Sequence, residues 1–203
     1  RMGRGSWARL APKYRRRRLA AGAVALCLLV LLAALVFWLA GGREQVEELL
    51  YPREYSQYVE KYSAQYGVDP LLVYAVIYNE SRFRPDAQSE VGARGLMQMM
   101  EDAFEWTKYR LEPESDAVYD DMYDPETNIR YGTYMLSLLL EEFGTVDNAL
   151  CAYHAGWGSV KNWLADPAYS SDGVHVETIP FADTRTYVER VNKTLQIYQR
   201  LYG

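Results

Sequence analysis

The sequence predicts an all-α protein: a single N-terminal transmembrane helix followed by a globular helical domain. Three observations lead there. Residues 19–40 are 22 consecutive uncharged positions, mostly Leu, Ala and Val. Asp-Pro pairs stand at Asp69-Pro70 and Asp124-Pro125, each a capping side chain followed by proline in a first helical turn. Beyond residue 52 no strand-like alternation persists and no internal repeat appears.

As a helix, the apolar stretch is about 33 Å long and covers a hydrocarbon core of roughly 30 Å. Arg15, Arg16, Arg17 and Arg18 precede it, and Arg43 with Glu44, Glu47 and Glu48 follows it. That bias of positive charge puts the N-terminus in the cytoplasm and the following domain outside, as a single-pass cell-membrane protein. Phe37 and Trp38 sit where interfacial aromatics belong. A cleavable signal peptide is the competing reading, because Ala40-Gly41-Gly42 offers small residues at cleavage positions. Signal peptides commonly have apolar regions of about 7–15 residues, which favours a retained anchor here. The expected organisation is a basic cytoplasmic tail at 1–18, a transmembrane helix at 19–40, an acidic juxtamembrane spacer at 41–52 and a domain at 53–203.

Charge removes one class of function. Residues 1–42 hold eight of the 22 basic residues and no acidic one, so 43–203 carries 14 basic against 27 acidic residues, a net −13. A nucleic-acid reader needs a basic face on its folded part, so no nucleic-acid partner is expected. Cys27 lies in the apolar stretch and Cys151 far from it, which gives no disulfide framework. With two histidines in the chain, no metal site and no cofactor are expected.

Within the domain, residues 71–81 read as a helix opened by Asp69-Pro70. The helix opened by Asp124-Pro125 carries Ile129, Leu136, Leu139, Leu140 and Phe143 at helical spacing, and Gly144 closes it. Thr145 then caps a helix through Tyr153 that ends near Gly156. A last helix, about 184–202, shows Val188, Val191, Leu195 and Tyr198 on one stripe, with Thr186 and Glu189 spaced as a capping box. Residues 109–123 and 166–181 hold Pro, Asp, Ser and Gly clusters and read as loops.

Two places attract chemistry. Residues 71–78 are apolar or aromatic on every side, which marks a central, buried helix, and it delivers Asn79, Glu80 and Ser81 at its end. A carboxylate there meets the negative end of the helix dipole and partial burial, and both favour the protonated form. A general acid near neutral pH needs that form; a solvated Glu at a fraying end is the plainer alternative. The second place is Gly92-Ala93-Arg94-Gly95-Leu96-Met97-Gln98-Met99-Met100, a glycine turn leading into a helix with Gln98 and Met100 at its opening. The three methionines, taken alone, read as core. Gln98 among them needs a hydrogen-bond partner, from the protein or from a ligand.

Four blocks, in order, resemble the soluble-lytic-transglycosylase family of peptidoglycan-cutting domains. They are Glu80-Ser81-Arg82-Phe83; Ser89-Glu90-Val91-Gly92-Ala93-Arg94-Gly95-Leu96-Met97-Gln98; Ala152-Tyr153-His154-Ala155-Gly156; and Ile179-Pro180-Phe181-Ala182-Asp183-Thr184-Arg185-Thr186-Tyr187-Val188. Asp124-Pro125 with Asn128-Ile129 and Gly132 is similar to the family's mid-domain helix. The resemblance spans about residues 55–202 and implies a lysozyme-like fold. It implies Glu80 as the catalytic acid and Ser89, Gln98, Met100, Tyr153 and Tyr187 as residues lining a glycan groove, with the Tyr187 hydroxyl also holding the acid. Peptidoglycan glycan strands are the implied partner. His154 departs from the common asparagine, Glu101 from a frequent proline and Asp183 from the usual glutamate.

Most glycosidases use two carboxylates. Asp86, Glu90 and Asp183 are available, but the resemblance gives none of them that role. It implies instead a substrate-assisted cleavage of the MurNAc-β-1,4-GlcNAc bond, with Glu80 as acid and then base and 1,6-anhydro-MurNAc as the product. The alternatives are a hydrolytic muramidase with Asp86 or Glu90 as base, and a non-catalytic peptidoglycan-binding or scaffold module of an envelope machine. Tyr55, Tyr58 and Tyr62 read as helix-face packing. Arg82, Arg84 and Arg94 read as solvated, or as partners for stem-peptide carboxylates. His175 lies in a loop and reads as exposed.

Overall fold

The computed structural model describes residues 11–203; of the basic segment 1–18, the first ten residues lie outside the described ones. The chain divides at Leu50/Tyr51 into two units. In the first, α1 (Ala11–Phe37) runs through a wider π turn (Trp38–Gly42) into α2 (Arg43–Leu50). The acidic spacer is thus itself helical, and Arg43 pairs with Glu47 one turn on at 3.1 Å. The span Leu19–Phe37 is long and apolar enough to cross a membrane. Its large apolar side chains are exposed by half or more, a surface that water disfavours.

The second unit holds α3 (Ser56–Tyr66), α4 (Pro70–Glu80), α5 (Glu101–Leu111), a 3-10 turn (Tyr119–Tyr123), α6 (Pro125–Phe143), α7 (Val146–Ala155), α8 (Trp157–Ala165) and α9 (Ala182–Tyr202). Among the described residues, extended pairing is limited to the isolated bridges Gln88–Arg94 and Arg94–Met99. The fold is all-α. Helix α4 is its axis: residues 72–77 are all buried, with α3 and α9 against them. Helix α6 packs on α3, α5 and α7.

The caps sit where the sequence puts them. Asp69 accepts from the Leu71 N–H at 2.8 Å, Asp124 from Thr127 at 2.9 Å and Thr145 from Asn148 at 3.2 Å. Gly144, at φ +72°, ends α6 in the left-handed conformation. Three expectations change. Residues 109–111 complete α5, and the 3-10 turn Tyr119–Tyr123 interrupts the loop after it. Helix α9 begins at Ala182, so Thr186 is already inside it and turns its hydroxyl back to the Ala182 carbonyl at 2.9 Å. No Thr186–Glu189 capping box forms at its start. Helix α5 opens only at Glu101, with Met100 at its N-cap, so Gln98 precedes the helix.

At the domain's edge, Tyr198 donates to the Pro52 carbonyl at 2.8 Å and Tyr202 to the Tyr51 carbonyl at 2.9 Å. The segment that leads into α3 is thereby tied to the last helix.

The segment 88–99 is a tight loop held from outside. Asn128 on α6 is fully buried; it accepts from the Met97 N–H at 2.8 Å and donates to the Arg94 and Met122 carbonyls at 3.0 and 2.8 Å. Gly95 adopts φ +75°, and a Cβ there would lie 2.0 Å from the Met122 carbonyl oxygen. The close approach to Asn128 therefore demands glycine. Asn128→Ala strands a buried N–H and two carbonyls, and Gly95→Ala adds overlap to a strained φ. Each should destabilise the protein by about 2–4 kcal/mol in urea unfolding. Asn192→Ala, which loses only an exposed contact to Asp147, should change stability by less than about 0.5 kcal/mol.

Candidate active site

Helix α4 ends at Glu80, with Ser81 as its C-cap. Ser81 is buried and donates to the Leu96 carbonyl at 2.7 Å, fixing the helix end to the 88–99 loop. Glu80 keeps partial exposure, yet its surroundings remove most of its solvation. Burial pushes the Glu80 carboxyl up to about 7, against the opposing pull of the Tyr187 hydroxyl and the Arg190 charge. The carboxyl is therefore protonated in a large fraction of molecules at neutral pH.

Two tyrosines face it. Tyr187, on α9, is buried and its hydroxyl makes no hydrogen bond within ordinary geometry, yet it lies close enough to the Glu80 carboxyl for each to shift the other's ionisation. Tyr153, near the end of α7, donates to the Met97 carbonyl at 2.7 Å and also feels the Glu80 charge. Burial and Glu80 hold both phenols well above the ordinary tyrosine range, so both stay protonated. Glu80, Tyr153 and Tyr187, which the sequence scatters over more than a hundred residues, form one cluster.

The remaining candidates divide. Met100 is 39% exposed and, with Tyr153, lines a groove of about 760 Å³ between α5 on one side and the end of α7 and start of α8 on the other. Met97 and Met99 are core. Gln98, at φ +48°, spends its amide nitrogen on the Ala87 and Gly95 carbonyls at 3.1 and 2.8 Å, which leaves its amide oxygen as an acceptor. The Ser89 hydroxyl accepts from the Ala93 N–H at 3.0 Å and keeps its own proton to donate. Neither Ser89 nor Gln98 is on the groove wall, and neither is Glu80; Tyr153 is the residue common to the acid cluster and the groove.

The sequence did not single out the groove's aromatic end. Trp106 and Trp157 meet edge to face at 5.8 Å, and the Arg110 guanidinium lies 4.5 Å over Trp106. The Trp106–Arg110 spacing of four residues was visible, but not which face of α5 it would occupy. The three arginines read as solvated are engaged. Arg94 pairs with Asp120 at 2.6 Å and lies 4.1 Å over Tyr119. Arg82 lies 3.8 Å over Tyr78, and Arg84 donates to the Ser81 carbonyl at 3.0 Å. His175 is exposed and pairs with Asp172 at 2.6 Å. Among the described residues, no three His, Cys, Asp or Glu side chains converge as a metal would require.

The family model for the transglycosylase SLT domain matches residues 57–173, which include Glu80 and Tyr153. The chain belongs to the transglycosylase SLT family. It is 34% identical over 145 residues to the soluble lytic murein transglycosylase of Escherichia coli K12, covering 70% of this chain and 22% of that one. It is 29% identical over 169 residues to membrane-bound lytic murein transglycosylase C of Yersinia pestis, covering 72% of this chain and 47% of that one. This SLT chain thus spans less than half the length of either relative. The crystal structure of the 70 kDa soluble lytic transglycosylase of E. coli superposes with a TM-score of 0.70 at 31% identity, over 77% of this chain and 26% of that one. An inactive mutant of the lytic transglycosylase Slt from Pseudomonas aeruginosa gives 0.67 at 32% identity, over 76% and 25%.

The raised pKa of Glu80 makes stability depend on pH. Between the ordinary glutamate value of 4.5 and about 7, the folded protein holds a proton that the unfolded chain has released. This group's contribution therefore falls as pH rises through that window. Glu80→Gln, permanently neutral, should be more stable than the wild type at pH 8 by roughly 1–3 kcal/mol, with the gap closing toward pH 4. Urea unfolding at the two pH values measures it.

Proposed function

We propose that this protein is a peptidoglycan lytic transglycosylase, a lyase that cleaves the MurNAc-β-1,4-GlcNAc bond with Glu80 as acid and then base. The observation that carries the reading is a carboxyl held near neutral pKa between two protonated tyrosines, in a chain of the SLT family. Glu80 donates its proton to the glycosidic oxygen as the C1–O bond breaks. The carbonyl oxygen of the MurNAc acetamido group bonds to C1, giving an oxazolinium-like intermediate. Glu80, now a carboxylate, takes the proton of the C6 hydroxyl, and that oxygen displaces the acetamido oxygen at C1. The product is a 1,6-anhydro-MurNAc end, and no water is consumed. Tyr187 steadies the carboxylate between the two steps by donating to it.

The environment of Glu80 supports this route over hydrolysis. Among the described residues, the groups that act on it are the Tyr187 hydroxyl and Arg190, neither of them a carboxylate, whereas hydrolytic glycosidases commonly pair two. Asp86, Glu90 and Asp183 are exposed. We assign Ser89, Gln98, Met100 and Tyr153 to the glycan. Ser89 offers a donor, Gln98 an acceptor and Met100 an apolar wall, and the Trp106–Trp157 end of the groove presents ring faces for pyranose stacking. The span Leu19–Phe37 serves as a retained single-pass anchor, with the N-terminus cytoplasmic and the domain outside.

Glu80→Gln should lower release of muropeptides from purified peptidoglycan by about 10²–10⁴-fold while still binding it. Mass spectrometry of wild-type products should find ends one water lighter than hydrolysis gives; hydrated ends would identify a muramidase, and binding with no release a scaffold. Cleavage should decline as pH rises above about 7, where Glu80 loses the proton it donates. The anchor predicts a protein that stays in the membrane after alkaline carbonate extraction and is digested by protease added outside the cell.

A further inference from the structure

His154 has no part in the reaction as written, yet it touches the residue that faces the acid. It lies near the end of α7, is exposed and lines the groove. It meets α9 twice. Its Nδ1 is 3.0 Å from the Thr184 hydroxyl oxygen, and its ring stacks on that of Tyr187 with centroids 4.6 Å apart and planes 30° from parallel. Thr184 and Tyr187 are three apart on α9, so they present neighbouring positions to the same imidazole. Both are buried, at 1% and 2% exposure.

Hydrogen-bond satisfaction chooses the tautomer. Among the described residues, the side-chain partner of the buried Thr184 hydroxyl is His154 Nδ1. If Nδ1 carried the hydrogen, the Thr184 O–H would be left without an acceptor, a loss that buried donors avoid. The hydroxyl therefore donates to Nδ1, and the ring hydrogen sits on Nε2. A second proton on the ring would break that arrangement. The charges that face the ring are Asp183, which favours protonation, and Arg190, which opposes it, both on α9. Asp102 and Arg110 of α5 share its groove, and Glu80 of α4 lies behind Tyr187. One edge of the ring is exposed, but the side packed on α9 loses its water; that outweighs Asp183 and holds the imidazole below its ordinary pKa.

The Tyr187 ring needs such a neighbour. Its hydroxyl makes no fully formed hydrogen bond that would pin the ring from the far end, so packing must hold it. We propose that His154 is a positioning residue for the acid: locked by Thr184 as the neutral Nε2–H tautomer, its ring is the brace that keeps the Tyr187 hydroxyl against Glu80. The role rests on Glu80 being the catalytic acid, but the brace itself is measurable without cleavage.

The test uses the 203-residue chain in detergent micelles, whose two histidines give two sets of imidazole signals in nitrogen-15 spectra. His154 should appear at pH 7 as neutral Nε2–H. His175, whose Nδ1 meets Asp172 at 2.6 Å, should appear protonated on Nδ1 and serves as the contrast. Thr184→Val should release the lock, populating both tautomers of His154 and raising its titration midpoint. The carboxyl carbon of Glu80 reads the brace. Because the Tyr187 hydroxyl lowers the Glu80 pKa, His154→Ala should raise the Glu80 midpoint in the direction that Tyr187→Phe does. His154→Phe, a flat ring without nitrogens, should return it toward the wild-type value. On purified peptidoglycan, His154→Ala should lower kcat by about tenfold and His154→Phe by less than about threefold. A wild-type Nδ1–H tautomer, or a Glu80 midpoint unmoved by His154→Ala, overturns the proposal. If the wild type releases nothing from peptidoglycan, the assigned reaction fails, and the two titrations still decide whether His154 braces Tyr187.

Discussion

Ionising a carboxyl at the end of a buried apolar helix means charging a group whose water has been replaced by side chains that cannot solvate it. Glu80 is in that position, and the domain is arranged around moderating the penalty rather than abolishing it. Burial drives the pKa upward, while the Tyr187 hydroxyl and Arg190 bring it back to about 7. For the acid-and-base role proposed for Glu80, a deeper site would leave an acid unable to act as a base, and a shallower one a carboxylate unable to act as an acid. The helix that delivers Glu80 therefore has to be apolar on all sides, and α9 has to cross it closely enough to bring Tyr187 to its end.

The second support is the loop at 88–99. Its backbone pairs with itself only in short turns and bridges, such as the two hydrogen bonds between Arg94 and Met99, and side chains from outside complete its shape. Asn128 reaches in from α6, and the Tyr119 hydroxyl reaches the Gly92 and Met99 carbonyls at 2.7 and 3.0 Å. Arg94 is clasped between Asp120 and the Tyr119 ring. Held by these contacts, the loop keeps Ser89 and Gln98, the residues assigned above to the glycan, in one conformation. Ordering it on binding would otherwise subtract from affinity.

Much of this was legible in the chain. The caps at Asp69, Asp124 and Thr145 and the stop at Gly144 are local, decided by residues within one turn of each other, and they form as read. The all-apolar run before Glu80 announced a central helix because no solvent face could be drawn on it. What was not legible depended on distant packing. Thr186 and Glu189 have capping-box spacing, but the helix start was already set at Ala182. Arg94 looked like any surface arginine because Asp120 and Tyr119 are 26 and 25 residues away. Gln98 and Met100 are two positions apart, yet the left-handed turn at Gln98 sends one into the loop and the other to the groove. The Trp106–Trp157 contact joins helices that no local pattern relates.

The tyrosine ties between α9 and the segment at Tyr51-Pro52 have an architectural consequence. They put the entry and the exit of the fold side by side. A unit whose two ends meet is a cassette: it can be spliced between other segments of a polypeptide without stretching its own frame. The E. coli relative is much longer, this chain covering 22% of it, and a unit whose ends meet can sit within such a longer polypeptide.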